Sequence, residues 1–144
     1  MRHVINQNVQ GLTGGEKITK IIKVMIQKVI HSYCLQETWL LGKFSKTIRG
    51  HLLLHQGIVM KPCHRGQASC GVTIILGPPL LRAWEMAGKP LPITSATKSD
   101  FPGRMIGVTL CFPNRSNKRA NTLHMRSKGR IKIFLTLIYH PVDH

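Results

Sequence analysis

The pattern of apolar and polar positions predicts one amphipathic helix near the N-terminus. Between residues 13 and 30, apolar side chains recur every three or four positions, which is the spacing of one helix face. Thr13 and Glu16 have the spacing of a capping box, so we expect the helix to begin there. The predicted core face holds Ile18, Ile21, Ile22, Met25, Ile26, Val29 and Ile30, and the predicted basic outer face holds Lys17, Lys20, Gln27 and Lys28.

Short apolar runs that are rich in branched residues and bounded by Gly or Pro predict strands in most of the remaining chain. They cover residues 4–8, 32–36, 52–60, 70–76, 105–112 and 131–139. Residues 77–103 contain five prolines and are expected to form an elaborate loop with one short helix around 81–87. Strand, capped helix and strand form a βαβ-like opening, and the later strands favour an antiparallel or mixed sheet.

Length and charge narrow the class of protein. A chain of 144 residues is expected to form one domain, over residues 1–144, and 42% hydrophobic content is in the globular range. With 21 Lys and Arg against 5 Asp and Glu, the formal net charge is +16. That charge attracts polyanions, so DNA or RNA is the expected partner. Neither a signal peptide nor an apolar run of about 18 residues is present, so we expect an intracellular protein, nuclear or cytoplasmic, without a membrane partner.

The basic residues concentrate in one segment between the last two predicted strands. Residues 114–130 contain no acidic side chain and are expected to project from the sheet as a basic loop. Its candidate nucleic-acid-binding residues are Arg115, Lys118, Arg119, Arg126, Lys128 and Arg130.

The four cysteines form no Cys-x-x-Cys pair. Cys63, His64 and Cys70 have the chemistry of zinc ligands, but a second close-spaced ligand pair is missing. We therefore expect reduced, mostly buried thiols.

One of the five carboxylates, Glu37, directly follows an apolar run in "CLQETWL". It either ends a strand in solvent or belongs to a site. If the strands on both sides of the helix are neighbours, Asn8 of "NVQGL" and Glu37 lie at adjacent carboxyl ends, where ligands bind in open α/β sheets. An amide and a carboxylate suit a hydrated Mg²⁺ ion, which commonly takes one or two protein carboxylates and keeps several waters.

"NVQGL", the capped helix and "CLQETWL" together resemble the opening of the endonuclease/exonuclease/phosphatase superfamily. These are Mg²⁺-dependent phosphodiesterases related to abasic-site endonucleases, DNase I and the endonucleases of non-LTR retrotransposons. "RGQASCGVTIIL", "GRMIGVTL" and "IKIFLTLIYHPVDH" are similar to later strands of the family, in the family's order. The basic character and the "AWEMAGKPLP" excursion resemble the retrotransposon branch.

The resemblance implies roles for three residues. Glu37 would be the metal-binding carboxylate for Mg²⁺, with Mn²⁺ as a substitute, and Asn8 its amide neighbour. Tyr139 would be the catalytic-site tyrosine that contacts the scissile phosphate. His140 and His144 are interpreted as local residues, because the family's histidine comes from a motif far downstream.

The sequence departs from the family in its second half. The Gly-Asp-x-Asn motif is missing, and Asp143-His144 stands far too early to be the family's late Asp-His pair. In-line displacement at phosphorus needs an activated water as well as a metal. We therefore expect a fragment of the domain that is inactive by itself. An intact member of the family would cleave a phosphodiester bond of a nucleic acid, and phosphoinositides and small phosphoesters are alternative substrates.

The resemblance also implies a partial DNase I-like α/β sandwich with one mostly antiparallel or mixed sheet and an amphipathic helix after the first strand. The strands at 105–112 and 131–139 would present apolar side chains to a missing partner sheet. Because monomers seldom expose large apolar patches, we expect marginal stability and self-association through an uncovered sheet face.

A second hypothesis comes from a different class of protein. The charge is equally typical of a basic nucleic-acid-binding protein without catalysis, ribosomal-like in composition. In that case residues 114–132 would form the phosphate-binding surface. The chain has only two Trp, two Tyr and four Phe, so base-stacking recognition has little support.

Overall fold

A computed structural model describes residues 3–9, 11–12, 15–40, 42–57, 71–94, 105–113 and 130–138. Its elements are β1 (Val4–Asn8), α1 (Glu16–Lys28), β2 (Ser32–Gln36), β3 (Lys43–Ile48), β4 (His51–Gln56), β5 (Val72–Leu76), α2 (Pro78–Met86), β6 (Ile93–Thr94), β7 (Met105–Pro113) and β8 (Arg130–Ile138). The predicted α/β class is confirmed.

The chain opens with the predicted βαβ unit. Strands β1 and β2 pair in parallel with Val4 opposite Ser32 and Asn8 opposite Gln36. Helix α1 connects them and begins at Glu16, with Gly15 as its N-cap and no side-chain capping bond. The predicted start at Thr13 is therefore too early, and Thr13 itself lies outside the described residues.

The core face of α1 is narrower than predicted. Ile21, Ile22 and Met25 are buried, whereas Ile26 and Val29 are exposed by 53% and 63%. Ile26 falls at the border of the stripe, about 100° of rotation from Met25. Val29 follows the last helical residue and has a left-handed backbone with φ 53°, so it leaves the helix face.

The main sheet has five strands in the order β1-β2-β5-β4-β3, and all pairs except β1–β2 are antiparallel. Strand β3 was not predicted, because its residues are nearly all exposed and carry no buried apolar pattern. It joins β4 through Arg49 and Gly50, which have φ values of 49° and 74°. Two successive positive φ values are typical of a type I′ hairpin turn.

A second sheet of three antiparallel strands has the order β6-β7-β8. The prediction of one sheet is therefore incomplete. Ile106, Val108, Leu110 and Phe112 of β7 were expected to face a missing partner sheet. Instead they are buried in one core with Leu52, Leu54, Val72, Ile74 and Leu76 of the main sheet and with Leu80 and Ala83 of α2.

The opposite face of the main sheet packs against α1. Leu35, Leu53 and Ile75 from three strands form a core with Ile22 and Met25 of the helix. The described chain therefore has three layers: α1, the main sheet, and the second sheet with α2. Self-association through an uncovered face stays a prediction. The apolar residues of β7 no longer support it, because they are buried in the core that the two sheets share.

Two of the cysteines lie within this core. Cys34 and Cys111 are buried free thiols, and burial raises the pKa of the Cys34 thiol. The prediction of buried thiols is confirmed for these two residues. Cys63 and Cys70, with His64, lie outside the described residues.

Candidate functional site

The loops that follow β1 and β2 run side by side at the carboxyl edge of the main sheet. Three backbone hydrogen bonds join them beyond the strands: Val9 N donates to Gln36 O at 3.0 Å, Gly11 N to Glu37 O at 2.8 Å, and Leu12 N to Thr38 O at 2.9 Å. Asn8 and Glu37 thus lie at neighbouring strand ends, as the sequence predicted. We call the segment from Glu37 to Leu40 the ETWL loop.

The ETWL loop has an unusual backbone. Glu37 and Trp39 have φ values of 52° and 60°, in the left-handed region that costs a non-glycine residue roughly 1–2 kcal/mol. Such conformations persist only where the surrounding structure holds them, and they cluster at binding and catalytic sites.

Thr38 anchors the centre of the loop. Its side chain is fully buried, and its backbone N–H donates to the carbonyl of Gly71 at 3.2 Å. Gly71 itself has φ +109°, and a Cβ there would overlap the Thr38 hydroxyl oxygen. Only glycine satisfies both conditions, so this residue is required for the close approach of the loop to the start of β5.

His55 of β4 holds the end of the ETWL loop by a hydrogen bond. Its Nε2 atom lies 3.1 Å from Leu40 O and its Nδ1 atom 2.6 Å from Thr73 Oγ1. Because a carbonyl oxygen only accepts, Nε2 carries the proton and donates, and Nδ1 accepts from the threonine hydroxyl. Burial lowers the pKa of His55 to about 4, against the opposing effect of hydrogen bonds to the backbone of Leu40 and Val72. The ring is therefore neutral at pH 7.

Trp39 lies over the loop that follows β1. Atoms Cε3 and Cζ3 of its ring lie 2.6 and 2.9 Å from the position where a Cβ of Gly11 would be. Gly11 has φ +107°, so a side chain is disfavoured there for two reasons. The contact locks the two neighbouring loops together, and it leaves 45% of Trp39 exposed.

Lys17 holds the other loop. Its Nζ atom donates to the carbonyls of Val9 and Gly11 at 3.1 and 3.0 Å. The sequence placed Lys17 on a basic outer face, and the structure gives it this specific role near the start of α1. Both loops at the carboxyl edge are therefore fastened by a side chain from a neighbouring element.

Asn8 belongs to a group of amides on the face of the main sheet that bears the second sheet. The strand register places Asn8 beside Gln36 and Asn6 beside Cys34, and side chains two residues apart share a face. Gln36 Nε2 donates to Asn6 Oδ1 at 2.9 Å. Sequence reasoning found only Asn8 among these amides.

The donor chemistry of the two predicted ligands fits a hard cation. Glu37 is half-buried and Asn8 exposed, and both offer oxygen ligands at one sheet edge. No group of three or more His, Cys, Asp or Glu residues gathers in the described part of the chain. Magnesium does not need such a group, because it keeps several waters and takes one or two carboxylates.

A separate cleft of about 560 Å³ opens between α1 and β3. Leu12, Leu40, Phe44 and Leu53 line it together with Lys46. It lies on the helix side of the main sheet, whereas the register places Asn8 on the opposite side. The cleft is therefore not part of the predicted metal site.

Of the remaining predicted site residues, the structure describes Arg130. Arg130 begins β8 opposite Pro113. Tyr139 and the basic residues Arg115, Lys118, Arg119, Arg126 and Lys128 lie outside the described residues, as do His140 and His144. Their roles stay predictions.

Sequence reasoning missed His55, Thr38, Gly71 and Lys17. A histidine inside the apolar run "HLLLHQG" was the available signal for a buried, hydrogen-bonded ring. The glycines before β5 and after β4 were further signals, because a glycine beside a strand often marks a close backbone approach.

Comparisons with protein-family models, with curated proteins and with solved structures find no match to this chain. Neither of the two described helices has the length and apolar character that crossing a membrane requires.

Proposed function

We propose that the carboxyl edge of β1 and β2 is the Mg²⁺ site of a phosphodiesterase domain that acts on nucleic acid. The parallel pairing that sets Asn8 opposite Gln36, next to Glu37, carries this proposal. The resemblance of "NVQGL" and "CLQETWL" to the endonuclease/exonuclease/phosphatase superfamily, in its retrotransposon branch, supports it.

Each residue has a defined task in this proposal. The Glu37 carboxylate holds the hydrated ion, and the Asn8 amide orients a metal-bound water or a phosphate oxygen. When bound, Mg²⁺ polarises a phosphoryl oxygen and lowers the pKa of a bound water. The hydrogen bonds from Gly11 and Leu12 to the ETWL loop keep the two ligands in place. Tyr139 is proposed to contact the phosphate.

Binding without turnover is the expected behaviour of this chain by itself. The 144 residues lack the Gly-Asp-x-Asn motif and the late Asp-His pair of the family. A metal-bound substrate without a group that activates the attacking water reacts slowly. Purified protein is therefore expected not to nick supercoiled plasmid DNA in Mg²⁺.

Titration of the protein with Mg²⁺, followed by calorimetry, tests the metal site independently of activity. Saturable binding is expected for the native chain and for the control Glu85→Gln, whose carboxylate is exposed on α2. Glu37→Gln keeps the size of the side chain and removes its charge, so its affinity should fall by about tenfold or more, as loss of an ionic ligand predicts. Equal affinities of native protein and Glu37→Gln would refute the proposal.

A second candidate, non-catalytic binding of nucleic acid, is supported by the outer face of α1. Lys20, Lys23 and Lys28 are exposed there on one helix. In this case the affinity for DNA falls with salt by about 0.9 log units per log unit for each neutralised phosphate. The affinity for DNA is also independent of Mg²⁺ and unchanged in Glu37→Gln. These two results distinguish the second candidate from the first.

A further inference from the structure

Trp39 is a large apolar side chain that is unusually exposed. It stands two residues after Glu37, and two residues of chain span at most about 7 Å. It is 45% exposed, whereas Trp84, the other tryptophan, is half-buried and donates from Nε1 to the Pro90 carbonyl at 2.9 Å. A partly exposed aromatic side chain therefore stands two residues from the proposed metal ligand.

The backbone on both sides of Trp39 is held by hydrogen bonds. Thr38 N donates to Gly71 O at 3.2 Å and Thr38 O accepts from Leu12 N at 2.9 Å, while Leu40 O accepts from His55 Nε2 at 3.1 Å. The left-handed φ of 60° at Trp39 is maintained by these contacts. A ring presented by a fixed backbone loses little conformational entropy when a ligand binds.

The contact with Gly11 involves the six-membered ring of the indole. The nearest atoms are Cε3 and Cζ3, at one edge of the six-membered ring. A leucine would be sufficient to cover a glycine backbone. About 45% of the Trp39 side chain is exposed, and this exposed surface is the part that a planar ligand would contact.

The charge of the protein indicates which planar ligand would bind to Trp39. A net charge of +16 attracts polyanions, and single-stranded nucleic acids bind through backbone phosphates together with bases stacked on aromatic side chains. A phosphate that contacts a metal ion held by Glu37 would bring its own base near a ring two residues away in the chain.

We propose that Trp39 is a stacking platform for an unpaired nucleobase next to the phosphate that the metal site holds. The inference rests on the phosphodiester substrate proposed above and narrows it to strands with an exposed base. Trp39 then contributes the base contact, and the metal site contributes the phosphate contact.

The test compares two dye-labelled oligonucleotides of equal length, oligothymidylate and an oligomer of abasic sites, by fluorescence anisotropy in EDTA. Both carry the same phosphates, so their affinities differ only through the bases. Native protein should bind the thymidylate about 5- to 150-fold more tightly, the range that stacking of one base provides. In Trp84→Phe, with Trp39 as the remaining tryptophan, unlabelled thymidylate should quench the emission and the abasic oligomer should not.

Trp39→Leu is the matched variant, because leucine retains an apolar contact with Gly11 and removes the π system. It should bind thymidylate as weakly as the abasic oligomer, whose own affinity stays unchanged, and Trp39→Phe should retain most of the preference. Equal binding of both oligomers by native protein overturns the proposal, and this comparison needs no variant. A preference for thymidylate that survives in folded Trp39→Leu overturns it too. Because the assay contains EDTA, a base preference without Mg²⁺ binding refutes the metal site alone, and Mg²⁺ binding without a base preference refutes the platform alone.

Discussion

His55 Nε2 donates a hydrogen bond to the carbonyl oxygen of Leu40 at 3.1 Å. The bond connects β4 to the ETWL loop, which leaves β2 two strands away in the sheet. The same ring accepts from Thr73 of β5. One buried imidazole therefore links the end of the ETWL loop, which carries Glu37 and Trp39, to strands β4 and β5.

Replacing His55 by phenylalanine should destabilise the protein. The ring size is nearly retained, but the buried Thr73 hydroxyl and the half-buried Leu40 carbonyl lose their partner. An unsatisfied buried group costs about 1–3 kcal/mol, and a half-buried one costs less. Urea denaturation measures the loss. His3→Phe serves as control, since His3 is exposed and should change stability little. A His55→Phe protein as stable as the native chain would show that the hydrogen bonds contribute nothing.

Acid should destabilise the fold through the same residue. His55 has a folded pKa of about 4, below its ordinary value of 6.5, so the unfolded chain binds more protons between these two values. The contribution of neutral His55 to the free energy of unfolding is complete above pH 6.5, declines as the pH falls, and is lost below pH 4. The total loss is about 3 kcal/mol. The difference between native and His55→Gln stability should shrink over this window, measured by urea denaturation at several pH values. A constant difference would contradict the assignment.

Gly71 and Gly88 form a matched pair of glycines. Both have positive φ, +109° and +92°, but a Cβ at Gly71 meets Thr38 and a Cβ at Gly88 meets nothing within 4 Å. Gly88→Ala should cost about 1 kcal/mol from backbone strain. Gly71→Ala should cost a further 1–3 kcal/mol or so from overpacking. Thermal denaturation of both variants tests the difference, and equal costs would mean that the close approach to Thr38 relaxes freely.

Lys17 should protect the loop after β1 from opening. Lys17→Met keeps most of the stem and removes two hydrogen bonds to Val9 and Gly11, a loss of about 0.5–1.5 kcal/mol for each. Amide hydrogen exchange at Gly11, whose N–H is bonded to Glu37 O, should accelerate. Lys20→Met on the same helix is the control and should leave this rate unchanged. Identical exchange in both variants would exclude the fastening role.

The sequence by itself determined the local elements near the N-terminus. Strands β1 and β2 have the predicted bounds, because the residues that mark these bounds are neighbours in the chain and need no distant information. The amphipathic period located α1 within a few residues of each end. Since a short crossover helix favours parallel neighbours, the same pattern also predicted that Asn8 and Glu37 lie at one edge.

Only the tertiary structure decided what surrounds that edge. The Gly71 contact with Thr38, the His55 bond to Leu40 and the Gly11 contact with Trp39 join residues that are 15 to 33 positions apart, and no local period encodes such pairs. Strand β3 gains its conformation from pairing with β4, not from a buried pattern of its own. The second sheet likewise depends on packing: β7 has a covered face because the main sheet of the same chain lies opposite it.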